Sequence, residues 1–220
     1  MFYLKIKRLI DIVLSGLGLI ILAPVFLVLI IAIKLDSKGP VLFKQKRVGI
    51  HKSHFHILKF RTMRIDTPSD MPTHLLENPD QWITKVGKFL RKTSLDELPQ
   101  IINIFKGEMS IIGPRPALWN QYDLIEERDK YSANDVPVGL TGWAQINGRD
   151  ELPIEIKAKL DGEYVKKRSL WFDAICFIGT FTAVLRSKGV IEGGTGFISK
   201  MTKDKEESKG STNKQENTNY

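Results

Sequence analysis

Cysteine is nearly missing from this 220-residue sequence. The one present, Cys176, cannot close a disulfide within the chain, which fits a reducing compartment. Zinc-ligand patterns are missing too: His51, His54 and His56 lie close together, but with no cysteine cluster and no helical ligand spacing. Neither a P-loop nor a dinucleotide-binding fingerprint occurs, so no glycine-rich stretch assigns a nucleotide site by itself. Acidic residues are the minority, 25 against 33 basic ones, and the formal net charge is +8. That balance implies an anionic partner: nucleic acid, an anionic membrane surface or a phosphorylated substrate.

What the chain does have is an apolar run, residues 12–33, without a single charge. A helix of that length can cross a bilayer, and it is too long for a signal-peptide core. It argues for a membrane and against nucleic acid as the partner. Lys5, Lys7 and Arg8 precede the run, and Lys34, Lys38, Lys44, Lys46 and Arg47 follow it. Basic residues on both sides draw both ends to the cytoplasm, and Pro24 in the middle removes a backbone hydrogen bond. The pattern predicts a re-entrant membrane helix over 1–38, broken at Pro24; an ordinary span with a proline kink is the competing reading. Residues 39–199 then form a cytoplasmic domain, and 200–220, rich in Lys, Glu, Ser, Asn and Thr, a disordered tail.

The domain is organised around Thr93-Ser94-Leu95-Asp96-Glu97-Leu98-Pro99-Gln100. Leu98, Ile101, Ile102 and Phe105 recur at helical spacing, and Gly107 is a natural stop. With Asp96 as the N-cap, Pro99 falls in the first turn, where no intrahelical donor is lost. In that register the helix end keeps the Asp96 carboxylate ionised and favours a phosphate nearby. On these residues alone the adjacent carboxylates are either caps or chemistry.

Several cations converge in sequence on this pair. Alternation in Ile57-Leu58-Lys59-Phe60-Arg61-Thr62-Met63 puts Lys59 and Arg61 on one strand face, suited to a phosphate or to a solvated edge. Residues 66–81, with Pro68, Pro72 and Pro79, read as a loop. Arg91 belongs to a basic amphipathic helix over 82–92, placed at headgroup level. Pro114 and Pro116 bracket Arg115 and present its guanidinium with little backbone freedom. Residues 118–135 read as a polar helix and loop with no assignable role. Gly139-Leu-Thr-Gly-Trp-Ala-Gln-Ile-Asn-Gly-Arg149 is a loop and short strand able to approach a nucleotide closely. A charged helix over 154–167 leads to an apolar run over 170–185 with cations at both ends. That run reads as an interfacial helix, with a buried core helix as the alternative.

With these motifs in order, the chain resembles the bacterial sugar transferases of the monotopic phosphoglycosyl transferase family. The likeness rests on the apolar helix with Pro24, Lys59-Phe60-Arg61-Thr62-Met63, Ser94-Leu-Asp-Glu-Leu-Pro-Gln100, Gly113-Pro114-Arg115-Pro116 and Thr141-Gly-Trp-Ala-Gln-Ile-Asn-Gly-Arg149. Ala23 stands where that family often has serine before the proline, and Asp135-Val-Pro-Val-Gly139 lacks its usual basic residue. The resemblance implies a helix-rich α/β monotopic membrane protein: a re-entrant helix, interfacial amphipathic helices and a small catalytic domain at the cytoplasmic face of the inner membrane. It implies Mg2+-dependent transfer of a sugar 1-phosphate from a UDP-sugar to undecaprenyl phosphate, opening capsule, exopolysaccharide, O-antigen or glycoprotein glycan synthesis. Asp96 is then the nucleophile and metal ligand, with Glu97 in support. Lys59, Arg61, Arg91, Arg115 and Arg149 are the substrate and phosphate contacts. Membrane lipids are partners, nucleic acid is not, and a homodimer is a candidate assembly. The rival is a basic membrane-surface module without chemistry.

Overall fold

An apolar run in lipid can satisfy its backbone only within itself, and the first element does so. In the computed structural model, which describes residues 2–67, 79–148 and 152–186, helix α1 (Phe2–Asp36) extends the apolar run into both charged flanks. Residues on both sides of Pro24 are helical. Its apolar surface is largely exposed, Ile20 at 74% and Ile21 at 71%, as a lipid-facing surface requires. A narrower stripe of Lys7, Asp11, Ser15, Leu29 and Ile33 is buried against the rest of the chain.

Contacts to that stripe run along almost the whole helix. Near its start, Arg8 donates to the carbonyls of Ile104 and Phe105 (2.6 and 2.8 Å), and Asp11 accepts from the Ile111 N–H (3.0 Å). Gly16 and Gly18 lie against Phe105 and Ile101. Further along, the Phe26 ring is 5.3 Å from that of Phe60, and Leu29 and Ile33 share a cluster with Phe60 and Leu90. At the end, Asp36 accepts from the Val86 N–H (3.0 Å).

Strands β1 (Leu42–Val48) and β2 (His54–Phe60) form an antiparallel hairpin with Leu42 opposite Phe60 and Val48 opposite His54. Helix α2 (Lys85–Thr93) starts later than the amphipathic pattern predicts, because Thr84 caps it by accepting from the Gly87 N–H (3.0 Å). Gly87 is needed for close approach: a Cβ there would lie 2.0 Å from the Thr62 carbonyl oxygen. Helix α3 (Gln100–Lys106) stops at Gly107 as the sequence predicts, with φ 91° and its N–H bonded to the carbonyls of Asn103 and Ile104.

Strand β3 (Ser110–Ile112) pairs in parallel with β4 (Gly139–Thr141) across an excursion through α4 (Tyr122–Asp129). The short α5 (Trp143–Ile146) follows, then α6 (Ile154–Lys167) and α7 (Leu170–Arg186). Trp143 packs on Phe172 with ring centroids 5.0 Å apart and donates to Glu163 (3.1 Å). Helix α7 is two-sided. Cys176 and Asp173 are buried, while Trp171 is 77% and Ile178 64% exposed. Asp173 accepts from Lys7, Tyr3 and Tyr164, each at 2.8 Å, which ties α7 to the start of α1. Arg149, most of the proline-rich loop and the whole 200–220 tail lie outside the described residues.

Candidate active site

Proline without an N–H decides how the central segment folds. Ser94, left-handed at φ 57°, ends α2 and turns the chain into a 3-10 turn, Leu95–Glu97. Tight bonds follow, from the Glu97 N–H to the Ser94 carbonyl and from the Leu98 N–H to the Leu95 carbonyl, both 3.3 Å. Pro99 itself occupies the N-cap position of α3. The expectation that Asp96 caps that helix is therefore corrected. Asp96 sits one turn earlier, inside the 3-10 turn, and Pro99 takes the capping position.

Leu95 and Leu98, three apart on a turn with three residues per cycle, share one face. That face packs on the cluster of Leu29, Ile33, Phe60 and Leu90. The two acids meet Lys59, which projects from β2. Its ammonium lies 2.7 Å from Glu97 Oε1 and 4.0 Å from Asp96 Oδ2. Arg115 grips Glu97 from the other direction, with Nη2 at 2.6 Å from Oε1 and Nη1 at 3.3 Å from Oε2. The side chains of Lys59, Asp96, Glu97 and Arg115 are 14–28% exposed, so the group is open on one side.

The electrostatics of Glu97 are set by its cations. Burial would push the Glu97 carboxyl up, but the charges of Arg115 and Lys59 outweigh it and hold the group far below the usual carboxylate range. Glu97 is thus held as an anion between Lys59 and Arg115. Cys176 is no rival nucleophile, since burial and the nearby Asp173 charge push its thiol up to about 12.

The other cations distribute differently. Arg91 donates to Thr62 Oγ1 (2.9 Å) and Met63 Sδ (3.2 Å), at the edge where residues 62–64 meet 82–84. Arg61 departs from the expected site lining. Strand β2 ends at Phe60, and the Arg61 guanidinium reaches back to the carbonyls of Ser37 and Lys38 (2.8 Å each) and to Ser37 Oγ (2.9 Å). It holds the chain just past α1, where strand alternation no longer applies.

For a divalent cation, the chemistry of the donors is what matters. Among the described residues no group of three or more His, Cys, Asp or Glu side chains is arranged around a common point. Both Glu97 oxygens are bonded to cations. A carboxylate such as that of Asp96 suits a hard ion that takes most of its ligands from phosphate oxygens and water, the usual mode for Mg2+.

Three residues that sequence reasoning missed frame Arg115. Arg128, buried in α4, pairs with Asp161 of α6 (2.6 Å) and donates to the Arg115 carbonyl (3.0 Å). Arg47 donates to the Pro116 carbonyl (3.0 Å).

Comparison with known proteins identifies the family. The sequence profile of the family described as "Bacterial sugar transferase" matches residues 2–187. The chain is 43% identical over 185 residues to the UDP-glucose:undecaprenyl-phosphate glucose-1-phosphate transferase of Escherichia coli, covering 80% of this chain but 39% of that protein. It is 39% identical over 186 residues to the uncharacterized sugar transferase EpsL of Bacillus subtilis, covering 84% and 90%. To the exopolysaccharide production protein ExoY of Rhizobium meliloti it is 34% identical over 197 residues, covering 83% and 87%. The match spans α1 and the acidic pair alike, and this chain belongs to the bacterial sugar transferase family.

Proposed function

We propose that the chain is a phosphoglycosyl transferase that moves a sugar 1-phosphate from a UDP-sugar to undecaprenyl phosphate through a covalent Asp96 intermediate. The observation that carries this reading is two adjacent acids set against two cations in one partly open group. Arg115 and Lys59 grip Glu97, and the same Lys59 ammonium lies 4.0 Å from Asp96, with all four side chains 14–28% exposed. The E. coli relative is named for its donor and acceptor, UDP-glucose and undecaprenyl phosphate, and these support the reading.

In the first half-reaction an Asp96 oxygen attacks the sugar-bearing phosphorus, and the bond from that phosphorus to the bridging oxygen breaks. UMP leaves with the bridging oxygen, and an acyl phosphosugar remains on Asp96. In the second, an oxygen of undecaprenyl phosphate attacks the same phosphorus and restores the free carboxylate. Lys59 and Arg115 offset the repulsion between nucleophile and diphosphate and stabilise charge on the departing UMP. Mg2+, held by Asp96 with donor phosphate oxygens, would supply further charge compensation. Splitting the transfer lets a soluble donor and a lipid acceptor use one site in turn.

The re-entrant topology at the cytoplasmic face of the inner membrane belongs to the same proposal. Gly18 and Phe26 both touch the body, yet only roughly 12 Å of helix separates them, against about 30 Å of bilayer hydrocarbon. A straight span with the body in water would need a far longer contact-free stretch.

Incubation with a UDP-sugar alone tests the chemistry. UMP should appear in an amount equal to enzyme, a phosphosugar mass should reside on the Asp96 peptide, and Asp96→Asn should abolish both. Turnover without burst or adduct would favour direct attack by the lipid.

A further inference from the structure

Pro114 and Pro116 have no N–H, so the Gly113-Pro114-Arg115-Pro116 segment must be tied down mainly through its carbonyls. Three consecutive carbonyls are bonded, each to a different element. Pro114 accepts from the Gly139 N–H of β4 (2.8 Å), Arg115 from Arg128 Nη2 of α4 (3.0 Å) and Pro116 from Arg47 Nη1 of β1 (3.0 Å).

The middle bond is the unusual one. Arg128 is 2% exposed, and its fork is aimed by Asp161, itself 1% exposed, with Nε and Nη2 at 2.8 and 2.6 Å from Oδ2. The close approach of α6 needs Gly162, where a Cβ would lie 2.6 Å from the Tyr131 Cβ. A buried ion pair is a poor source of stability, because desolvation cancels much of the attraction and an apolar pair of similar volume often serves as well. An apolar pair cannot donate to a carbonyl. Arg115 in turn carries the guanidinium that grips Glu97 beside Asp96.

We propose that Arg128 and Asp161 are positioning residues for the Arg115 guanidinium, acting on the transfer reaction only through Arg115. This inference rests on the phosphoglycosyl transfer reading for its kinetic consequence. Asp161 fixes the plane of the Arg128 fork, the fork fixes the Arg115 carbonyl, and the two prolines convert a fixed carbonyl into a fixed side-chain origin. Neither positioning residue touches the donor.

The test is the double replacement Arg128→Met with Asp161→Leu, which keeps an apolar core and the fold, made in the parent and in an Arg115→Ala background. UMP release from a panel of UDP-sugars should lose about tenfold or more in kcat in the parent, but less than about twofold once Arg115 is absent. Equal losses in both backgrounds, or no loss in the parent, overturn the inference. A second readout does not need turnover. The Arg115 Nε–H order parameter, by 15N NMR in detergent, should fall from a rigid value near ~0.85 to below ~0.6 in the double variant. An unchanged order parameter overturns the inference whatever the kinetics. A parent chain that turns over no UDP-sugar would defeat the proposed function and leave the NMR result to decide this one.

Discussion

Asp96 and Glu97 share a turn, and the partners of Glu97 set its charge. Because Arg115 and Lys59 depress the folded-state value of Glu97, its ionised form stabilises the fold above about pH 4.5, the ordinary value, and that contribution is lost as pH falls below it. Thermal unfolding in detergent from pH 7 to 3 should therefore decline less steeply for Glu97→Gln than for the parent. A matching decline would remove Glu97 from the account. Sequence reasoning singled out the acids, Lys59 and Arg115, four side chains that the structure brings together. It missed Arg128 and Asp161. Each looks like an ordinary polar position on a charged helix, and the two are 33 residues apart. Arg61 bonds to Ser37 and Lys38 and not along the strand face, because alternation carries no sign of where the strand ends.

Elements came through more plainly where punctuation is strong. The structure bounds α6 at Ile154 and Lys167, matching the 154–167 reading, since Pro153 and the break before Ser169 frame it. The Asp96 register failed because a proline can be accommodated either inside a first turn or by a stretch of 3-10 bonding ahead of it, and the pattern of apolar residues is the same in both. Helix α2 depends on one missing side chain. Gly87→Ala would drive a methyl into the Thr62 carbonyl, so a loss of about 1–3 kcal/mol is expected by thermal unfolding, with Arg91 displaced from Thr62 and activity reduced. Unchanged stability would mean that α2 can shift away from β2 at no cost.

At the scale of the whole molecule, α1 and the body are one structure. Phe2 and Leu35, at the two ends of the helix, are 78% and 83% exposed, while Cys176 is fully buried and so poorly reactive. Single Phe2→Cys and Leu35→Cys variants in intact cells should both resist an impermeant maleimide until the membrane is opened; labelling of one from outside would establish an ordinary span. The same apolar cluster that seats the second half of α1 also floors the turn carrying Asp96, through Leu95 and Leu98. Removing residues 2–36 should therefore yield an aggregating, inactive fragment, not a soluble transferase, as light scattering and UMP release would report. It follows that the lipid-facing helix is a lever on the chemistry: a small hydrophobic compound wedged between Phe26 and Phe60 would silence the enzyme from the bilayer side without ever competing with the sugar nucleotide.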